Sequence, residues 1–494
     1  MIDFFDNLMI FLVNRQSGKR SKSRPSNRPE LLMHHALASE PMITVRPARP
    51  VCFVAKQPKP REIFAADFRD RVVHHLLVPH IEKIFEPQFI HDSYACRKDK
   101  GTHAAVKRLK YFMNRVTKGG HVAAWFMQLD IRSFFMSIDR EILLDILFRH
   151  LRDDRLTALA KKVVLQDCTK NFVYKGDRRL LQGIPQHKSL FHIPAGKGLP
   201  IGNLTSQFFG NVYLNEMDQF VKHTLKVRYY LRYVDDFILL DPDRQRLIEL
   251  KEKIGEFLDK RLALSLKEEA TLRRVSEGAD FLGYIVRPDY VLVRNRVVGN
   301  LGARLRSFHE EMVQYPKVKE QQFIRIHLRE EKVRKLRQTL ASYLGHFKHA
   351  NAYRLIRSQF EKYRYLKYIF AVDDKERLLP MYEPPFEPAT LRGQYTWVAK
   401  QYGDHCIFFQ VGSFCEFYGA QAERYGRFFG LKPLAETRMC ATQCGFPVRY
   451  LKDFKTKTFS EGMPYVVVSE RGYYPSGLKK RVISEIFRME RRRI

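Results

Sequence analysis

The sequence predicts a mixed α/β (α+β) chain with more than one hydrophobic core. Three observations carry that expectation. Apolar runs of strand length meet aspartates, at the end of AWFMQLD (124–130) and between the apolar flanks of RYVDDFILL (232–240). Longer stretches with helical spacing separate them. The chain has 494 residues, 45% hydrophobic and 13% aromatic, which is enough for roughly two to four domains. The 87 Lys and Arg against 54 Asp and Glu leave a net charge of +33, so a polyanionic partner is expected, nucleic acid first and an anionic membrane surface second. No run reaches the roughly 18 apolar residues of a transmembrane helix. FFDNLMIFLV (4–13) is interrupted by polar residues and lacks a basic segment before it, so it does not read as a signal peptide. Seven scattered cysteines fit a reducing cytoplasm better than a disulfide framework.

Residues 1–55 read as a basic N-terminal extension, Ser/Arg/Pro-rich over 17–29 and expected to be extended. The segment 59–85 spaces Ile63, Phe64, Val72, Val73, Leu76 and Leu77 as on an amphipathic helix, with Arg61, Arg69 and Arg71 interleaved. A solvated basic face explains those arginines equally well. In SYACRKDKGTHAAVKRL (93–109), Arg97, Lys98, Lys100, Lys107 and Arg108 surround Gly101. That grouping suits a phosphate-bearing ligand or a solvated basic loop.

Trp125 to Leu129 reads as a buried strand that delivers Asp130 to its end, and Asp139 reads as the N-cap of the helix that follows. GKGLPIGNLTSQFFGNVYLNEMDQFVKH (196–223) opens glycine-rich, allowing close backbone approach to a ligand, and continues as a helix with an apolar face. Within 232–240, two short strands turn at Asp235 and Asp236. Adjacent carboxylates repel each other, a strain that a hard divalent cation relieves. Taken alone, the pair is also an ordinary Asp-rich turn. A strand-end aspartate and a hairpin Asp-Asp together can hold two metal ions for in-line phosphoryl transfer.

Over residues 56–370, LDIRSFF, LPIGNLTSQ, YVDD, FLGYIV and a basic helical segment containing ASYLGHFKHANAYRL follow in order. This order resembles the bacterial and phage reverse transcriptases, specifically those of diversity-generating retroelements. The resemblance implies a right-hand polymerase with fingers and palm (56–295) and a helical thumb (296–370). It makes Asp130, Asp235 and Asp236 the catalytic aspartates. With the Ile131 carbonyl they would hold two Mg2+ ions, for which Mn2+ can substitute. Arg97 and Lys98 would contact the triphosphate, and Lys267 would lie near the leaving pyrophosphate. Phe135 would exclude a ribose 2′-OH, and Ile201, Gly202 and Gln207 would line the nucleotide pocket. Most relatives read LPQG followed by SP; this chain has Ile201 and Gln207 at the departing positions, a variant shared by retroelement enzymes that copy template adenines unfaithfully. An apolar wall at Ile201 discriminates isosteres weakly. No HNH cluster follows the thumb, which counts against a complete group II intron protein.

Residues 371–390 read as a stiff Pro-rich linker. Residues 391–494 carry 18 Lys and Arg against 9 acidic residues, a net of +9. A strand, a glycine turn and an amphipathic helix are expected over 405–431, and a further strand over 464–470. FFQVGSFCEFYGAQA, CGFPVRYLKDF and GMPYVVVSE resemble the N-terminal mismatch-recognition domain of the MutS family. The resemblance implies a small mixed α/β domain in which Phe414 wedges beside a mispaired base and Glu416 hydrogen-bonds it; a core Phe414 and a surface Glu416 is the structural alternative. The spacing of Cys406, Cys415, Cys440 and Cys444 fits no standard zinc pairing. The expected partners are a template RNA, the cDNA or DNA duplex and a basic accessory protein, in a bacterial or phage-encoded cytoplasmic setting. A host-defence reverse transcriptase, or a nucleic-acid-binding protein whose C-terminal domain docks, is the other reading of the same motifs.

Overall fold

The computed structural model describes residues 47–56, 59–435 and 442–490. Most of the N-terminal extension (1–46) and Cys440 lie outside the described residues. The chain divides into two compact units, one within Met1–Leu282 and Val286–Asp289, the other within Gly283–Ile285 and Tyr290–Ile494.

The first unit opens on an antiparallel pair, β1 (Val51–Ala55) and β2 (Arg61–Ala65). Ile63 and Phe64, expected on a helix, stand on β2. Pairing with β1 decides this: Phe64 stands opposite Cys52 and Ile63 opposite Phe53, Glu62 and Phe64 are buried in alternation, and the helix begins only after Asp67. Asp67 caps α1 (Phe68–Phe85) by accepting from the Arg69 N–H at 3.1 Å. Helix α2 (Thr102–Val116) follows Gly101, whose φ of +100° favours glycine. Strand β3 (Trp125–Asp130) then enters the central sheet, and α3 (Arg140–His150) is capped as expected by Asp139, which accepts from the Glu141 and Ile142 N–H groups.

Helix α4 (Leu204–Gln219) precedes the hairpin of β4 (Tyr229–Tyr233) and β5 (Asp236–Asp241), followed by α5 (Arg244–Leu262) and β6 (Thr271–Arg274). The sheet order is β4–β5–β3–β6, antiparallel throughout. Leu77, Ile81, Leu143, Leu147, Phe209, Val212, Leu247 and Ile254 from the flanking helices bury against Met127, Leu129, Tyr230, Phe237 and Leu239 of the sheet. This packing leaves the β3 end and the β4–β5 turn side by side.

The second unit opens with helices α6 (Asn295–Met312), α7 (Glu330–Phe347) and α8 (Tyr353–Lys362). The expected thumb is not wholly helical. Between α6 and α7 lie β7 (Val313–Gln314), β8 (Lys317–Val318) and β9 (Gln321–His327). QQFIRIH buries Phe323, Ile324 and Ile326 and pairs with β17 (Lys479–Met489), the last described strand.

Between them come the hairpin β10 (Phe370–Val372) and β11 (Leu378–Pro380), helix α9 (Leu391–Tyr402), the hairpin β12 (Cys406–Val411) and β13 (Phe414–Tyr418), and helix α10 (Ala420–Phe429). The short strand β14 (Leu434–Ala435), strand β15 (Thr442–Pro447), helix α11 (Leu451–Ser460) and strand β16 (Tyr465–Tyr473) complete the order. Apart from the β10–β11 hairpin, which pairs only with itself, the strands β7 to β17 form one nine-stranded sheet in the order β7–β9–β17–β16–β12–β13–β15–β14, with β8 on β9. Leu305, Leu336 and Leu340 of the helices share a core with Ile407, Phe409, Val466 and Ile486 of that sheet.

The 371–390 segment is not a free spacer. The Ile483 N–H donates to the Tyr382 carbonyl at 2.8 Å, Lys480 pairs with Glu383 at 2.5 Å, and the Tyr382 ring lies 6.0 Å from Phe370.

Candidate active site

Strand pairing builds the site. Asp130, the last residue of β3, stands opposite Asp236, the first of β5, and Tyr233 closes the β4–β5 hairpin against Asp236. Val234 and Asp235 form the two-residue turn. Val234 has φ +56°, a left-handed conformation that costs a β-branched residue about 1–3 kcal/mol and persists only where its surroundings enforce it. The Ile131 N–H donates to the Asp235 carbonyl at 3.3 Å, tying the turn to the β3 end. The pairing and the turn bring all three aspartates to the neighbouring ends of β3 and β5.

Burial pushes the Asp236 carboxyl up to about 7. The Gln128 amide works against this, and the Asp130 and Asp235 charges add to it. Asp235 is raised first by burial and then by Asp130, while Lys267 and Arg61 oppose the shift. Gln128 donates to both Asp236 oxygens, at 3.0 and 3.2 Å. The Lys267 ammonium pairs with the Asp130 carboxylate, and the Lys267 backbone N–H donates to the Asp130 carbonyl at 2.9 Å. Lys267 thus neutralises Asp130 while the Gln128 amide only hydrogen-bonds Asp236, and among the described residues no three acidic, His or Cys side chains close on one point. The donor set nevertheless fits a hard cation: it is all oxygen, and Asp130 Oδ1 is buried without a hydrogen-bond partner.

Around this edge, Phe135 is half-buried with its ring 5.1 Å from Phe134, and both approach α4 at Gly210, where a Cβ would sit 3.2 Å from Phe134. The Ile201 carbonyl accepts from the Phe64 N–H at 2.9 Å, and its side chain packs beside the Cys52, Phe64 and Leu190 cluster. Gly202 has φ +123°, and a Cβ there would meet Ile63 at 2.8 Å; only glycine fits this turn. The exposed Gln207 accepts a contact from the Cys96 thiol at 3.4 Å.

Arg97 does not face this space. Its guanidinium donates to both Glu86 oxygens and to the Ile90 and Ser93 carbonyls, and its side chain is 7% exposed. A side chain so saturated braces the loop and leaves no fork for a phosphate. Arg108 is likewise held by Asp92 at 2.8 Å. Lys98 is exposed. Arg61, at the start of β2 and exposed, supplies the charge felt at Asp235.

Sequence reading passed over Gln128 and used Arg61 only as surface charge. The signal for Gln128 was available: it lies two residues before Asp130 on a strand and so shares its face.

In the second unit, Phe414 opens β13 opposite Pro447 and is 46% exposed, so it is not a core residue. Glu416, on the same strand face, accepts from the Tyr418 hydroxyl and from Gln443 at 3.0 Å. Cys406, Cys415 and Cys444 are buried free thiols, raised by burial.

Residues 54–286 match the family model for reverse transcriptase (RNA-dependent DNA polymerase). They form a reverse transcriptase domain. Residues 389–487 match MutS domain I. Relatives of the reverse transcriptase domain include the group II intron-encoded protein LtrA of Lactococcus lactis subsp. cremoris, 24% identical over 300 residues, which cover 48% of this chain and 46% of that protein. Protein YkfC of Escherichia coli (strain K12) is 24% identical over 272 residues, covering 48% and 66%. The chain therefore spans less than two thirds of the length of these relatives. Apo telomerase from Candida tropicalis, truncated from its C-terminal domain, is similar at 14% identity with a TM-score of 0.36, over 51% of this chain and 56% of that one. Reverse transcriptases work with divalent metal ions, and the oxygen-only carboxylate edge of this domain is consistent with that chemistry. No helix among the described residues is long and apolar enough to cross a membrane.

Proposed function

We propose that the chain is an RNA-directed DNA polymerase of the diversity-generating retroelement type, making adenine-mutagenised cDNA from a template RNA. The observation that carries the polymerase reading is the register of β3 and β5, which sets Asp130 against Asp236 with Asp235 on the adjoining turn. Asp130, Asp235, Asp236 and the Ile131 carbonyl would hold two divalent ions, magnesium by preference with manganese as substitute, supplying activation of the primer hydroxyl and charge for the leaving pyrophosphate. Arg61 and Lys98 draw in the triphosphate, a role that the buried Arg97 cannot fill. Lys267 leaves Asp130 for the pyrophosphate, Phe135 rejects a 2′-OH, and Gly202 lets backbone approach the nascent pair. The retroelement assignment rests on Ile201 and Gln207 within LPIGNLTSQ. Purified protein should extend a primer on an RNA template in magnesium, and Asp235→Ala should abolish extension while leaving RNA binding and the unfolding temperature nearly unchanged. Extension by Asp235→Ala at the parental rate contradicts the assignment.

The MutS-like part binds mismatched or structured duplex in this reading, supported by the exposed Phe414 and its neighbour Glu416. Stacking contributes roughly 1–3 kcal/mol per base, whereas phosphate contacts ignore pairing. In the full chain, Phe414→Ala should therefore lose a several-fold preference for mismatched over matched duplex and keep the salt-dependent background. Equal affinity of the parental protein for both duplexes points to docking instead. A basic accessory protein of the retroelement completes the expected assembly.

A further inference from the structure

Arg232, two residues before the turn that carries the aspartate pair, is fully buried. Its Nε donates to both oxygens of Asp218, at 2.8 and 3.0 Å, and its Nη2 to Asp218 Oδ2 at 2.7 Å. Asp218 on α4 is equally buried and also accepts from the Tyr230 hydroxyl at 2.6 Å. The rest of the guanidinium fork reaches outward from this pair. Nη2 donates to Ser93 Oγ at 3.1 Å, while Nη1 donates to Asn211 Oδ1 at 3.2 Å and to the carbonyl of Val234 at 2.9 Å. The backbone joins in: the Arg232 N–H donates to the Asp92 carbonyl and the Tyr94 N–H to the Arg232 carbonyl, each at 2.9 Å, and Asn211 donates to the Ala95 carbonyl at 2.7 Å.

A surface role is closed to a side chain with no exposure, and a purely apolar residue would fill the space without the desolvation penalty that a buried ion pair carries. What the arginine adds is direction. Its planar fork holds three segments in fixed relative positions: α4 through Asp218 and Asn211, the 92–96 segment through Ser93, and the turn through Val234. Val234 is the left-handed residue of that turn, and its carbonyl is fixed from inside the protein by Nη1.

We propose that Arg232 is a positioning residue for the carboxylate pair, fixing the left-handed Val234 so that Asp235 and Asp236 present their oxygens beside the end of β3. The inference rests on the polymerase reading for its kinetic consequence only. A lysine keeps the charge but offers a single point donor, which can satisfy Asp218 and must release Val234.

The test uses the full chain. Arg232→Lys should fold, and its kcat for primer extension should fall roughly ten- to hundredfold. The magnesium concentration for half-maximal rate should rise several-fold, with the nucleotide KM close to parental. Backbone hydrogen exchange at residues 233–237 should quicken relative to the rest of the central sheet. Val234→Gly, which accepts a positive φ without help, should restore part of the lost kcat when added to Arg232→Lys. A role confined to stability predicts instead a lowered unfolding temperature with unchanged magnesium requirement per folded molecule and no restoration by glycine; that pattern overturns the proposal, as does parental kcat in Arg232→Lys. Should Arg232→Lys not fold, Ser93→Ala and Asn211→Ala, which each loosen one side of the fork, carry the same kinetic and exchange readouts. If the parental chain does not extend primers, the polymerase reading fails, while hydrogen exchange still decides whether Arg232 holds the turn.

Discussion

Asp236 illustrates how one side chain ties chemistry to pH. Its carboxyl, near 4 in an unfolded chain, is pushed up to about 7 by burial. Between those values the folded protein binds a proton that the unfolded chain has released, so this group's contribution to stability falls as pH rises from about 4 to about 7. Divalent metal needs the ionised form and competes with the proton. The magnesium concentration for half-maximal extension should therefore rise steeply as pH is lowered from 8 to 6, and titrations at several pH values check this. Gln128→Leu removes the amide that opposes the shift and should move the transition to higher pH. An unchanged midpoint shows that Gln128 does not tune the carboxylate.

At the scale of elements, the segment from Gly198 leads into α4 through a turn that only glycine permits at position 202. Ile201 sits there with its carbonyl bound to the Phe64 N–H and its side chain against an apolar cluster, so the backbone position is fixed whichever side chain occupies it. A glutamine at 201 introduces a polar group where an apolar wall discriminates weakly. Ile201→Gln should lower misincorporation opposite template adenine more than opposite the other bases, measured by sequencing the cDNA. An unchanged adenine spectrum removes Ile201 from the account of fidelity. Arg97 carries the opposite lesson: a cation in a basic loop had the composition of a phosphate ligand, yet Glu86 and two carbonyls consume its donors.

At the scale of the molecule, the MutS-like part and the thumb segment share a sheet. Five residues of β9 pair with β17, and Phe323 stacks on Phe487 with centroids 4.7 Å apart. A fragment of residues 391–494 loses that partner strand and exposes the β17 edge, a template for aggregation. It should unfold less cooperatively and self-associate, whereas residues 290–494 should unfold as one cooperative unit, as followed by circular dichroism and gel filtration. Equal melting of the two fragments shows that β9 merely decorates a self-sufficient domain. Phe414 is therefore borne on the same folded unit as α6 and α7, and a stiff spacer over 371–390 does not describe its attachment.

The amino-acid order alone singled out the candidate residues for chemistry. Adjacent aspartates between strand formers, a strand-end aspartate, a glycine-rich LPIGN turn and the Asp139 cap are local signals, because turn geometry, capping and charge repulsion act over a few residues. The hairpin, β3 and α4 were legible for that reason. Only the tertiary structure decided how distant residues use one another. Ile63 and Phe64 became strand because β1 was there to pair with, and QQFIRIH within a helical thumb became the partner of a strand more than a hundred residues later. Arg97 was spent on Glu86, and Arg232, an ordinary arginine in the string RYVDD, became the buried fork beneath the turn. Strand partnership and ion pairing are set by which surfaces the fold brings together, and no local period in the chain encodes them.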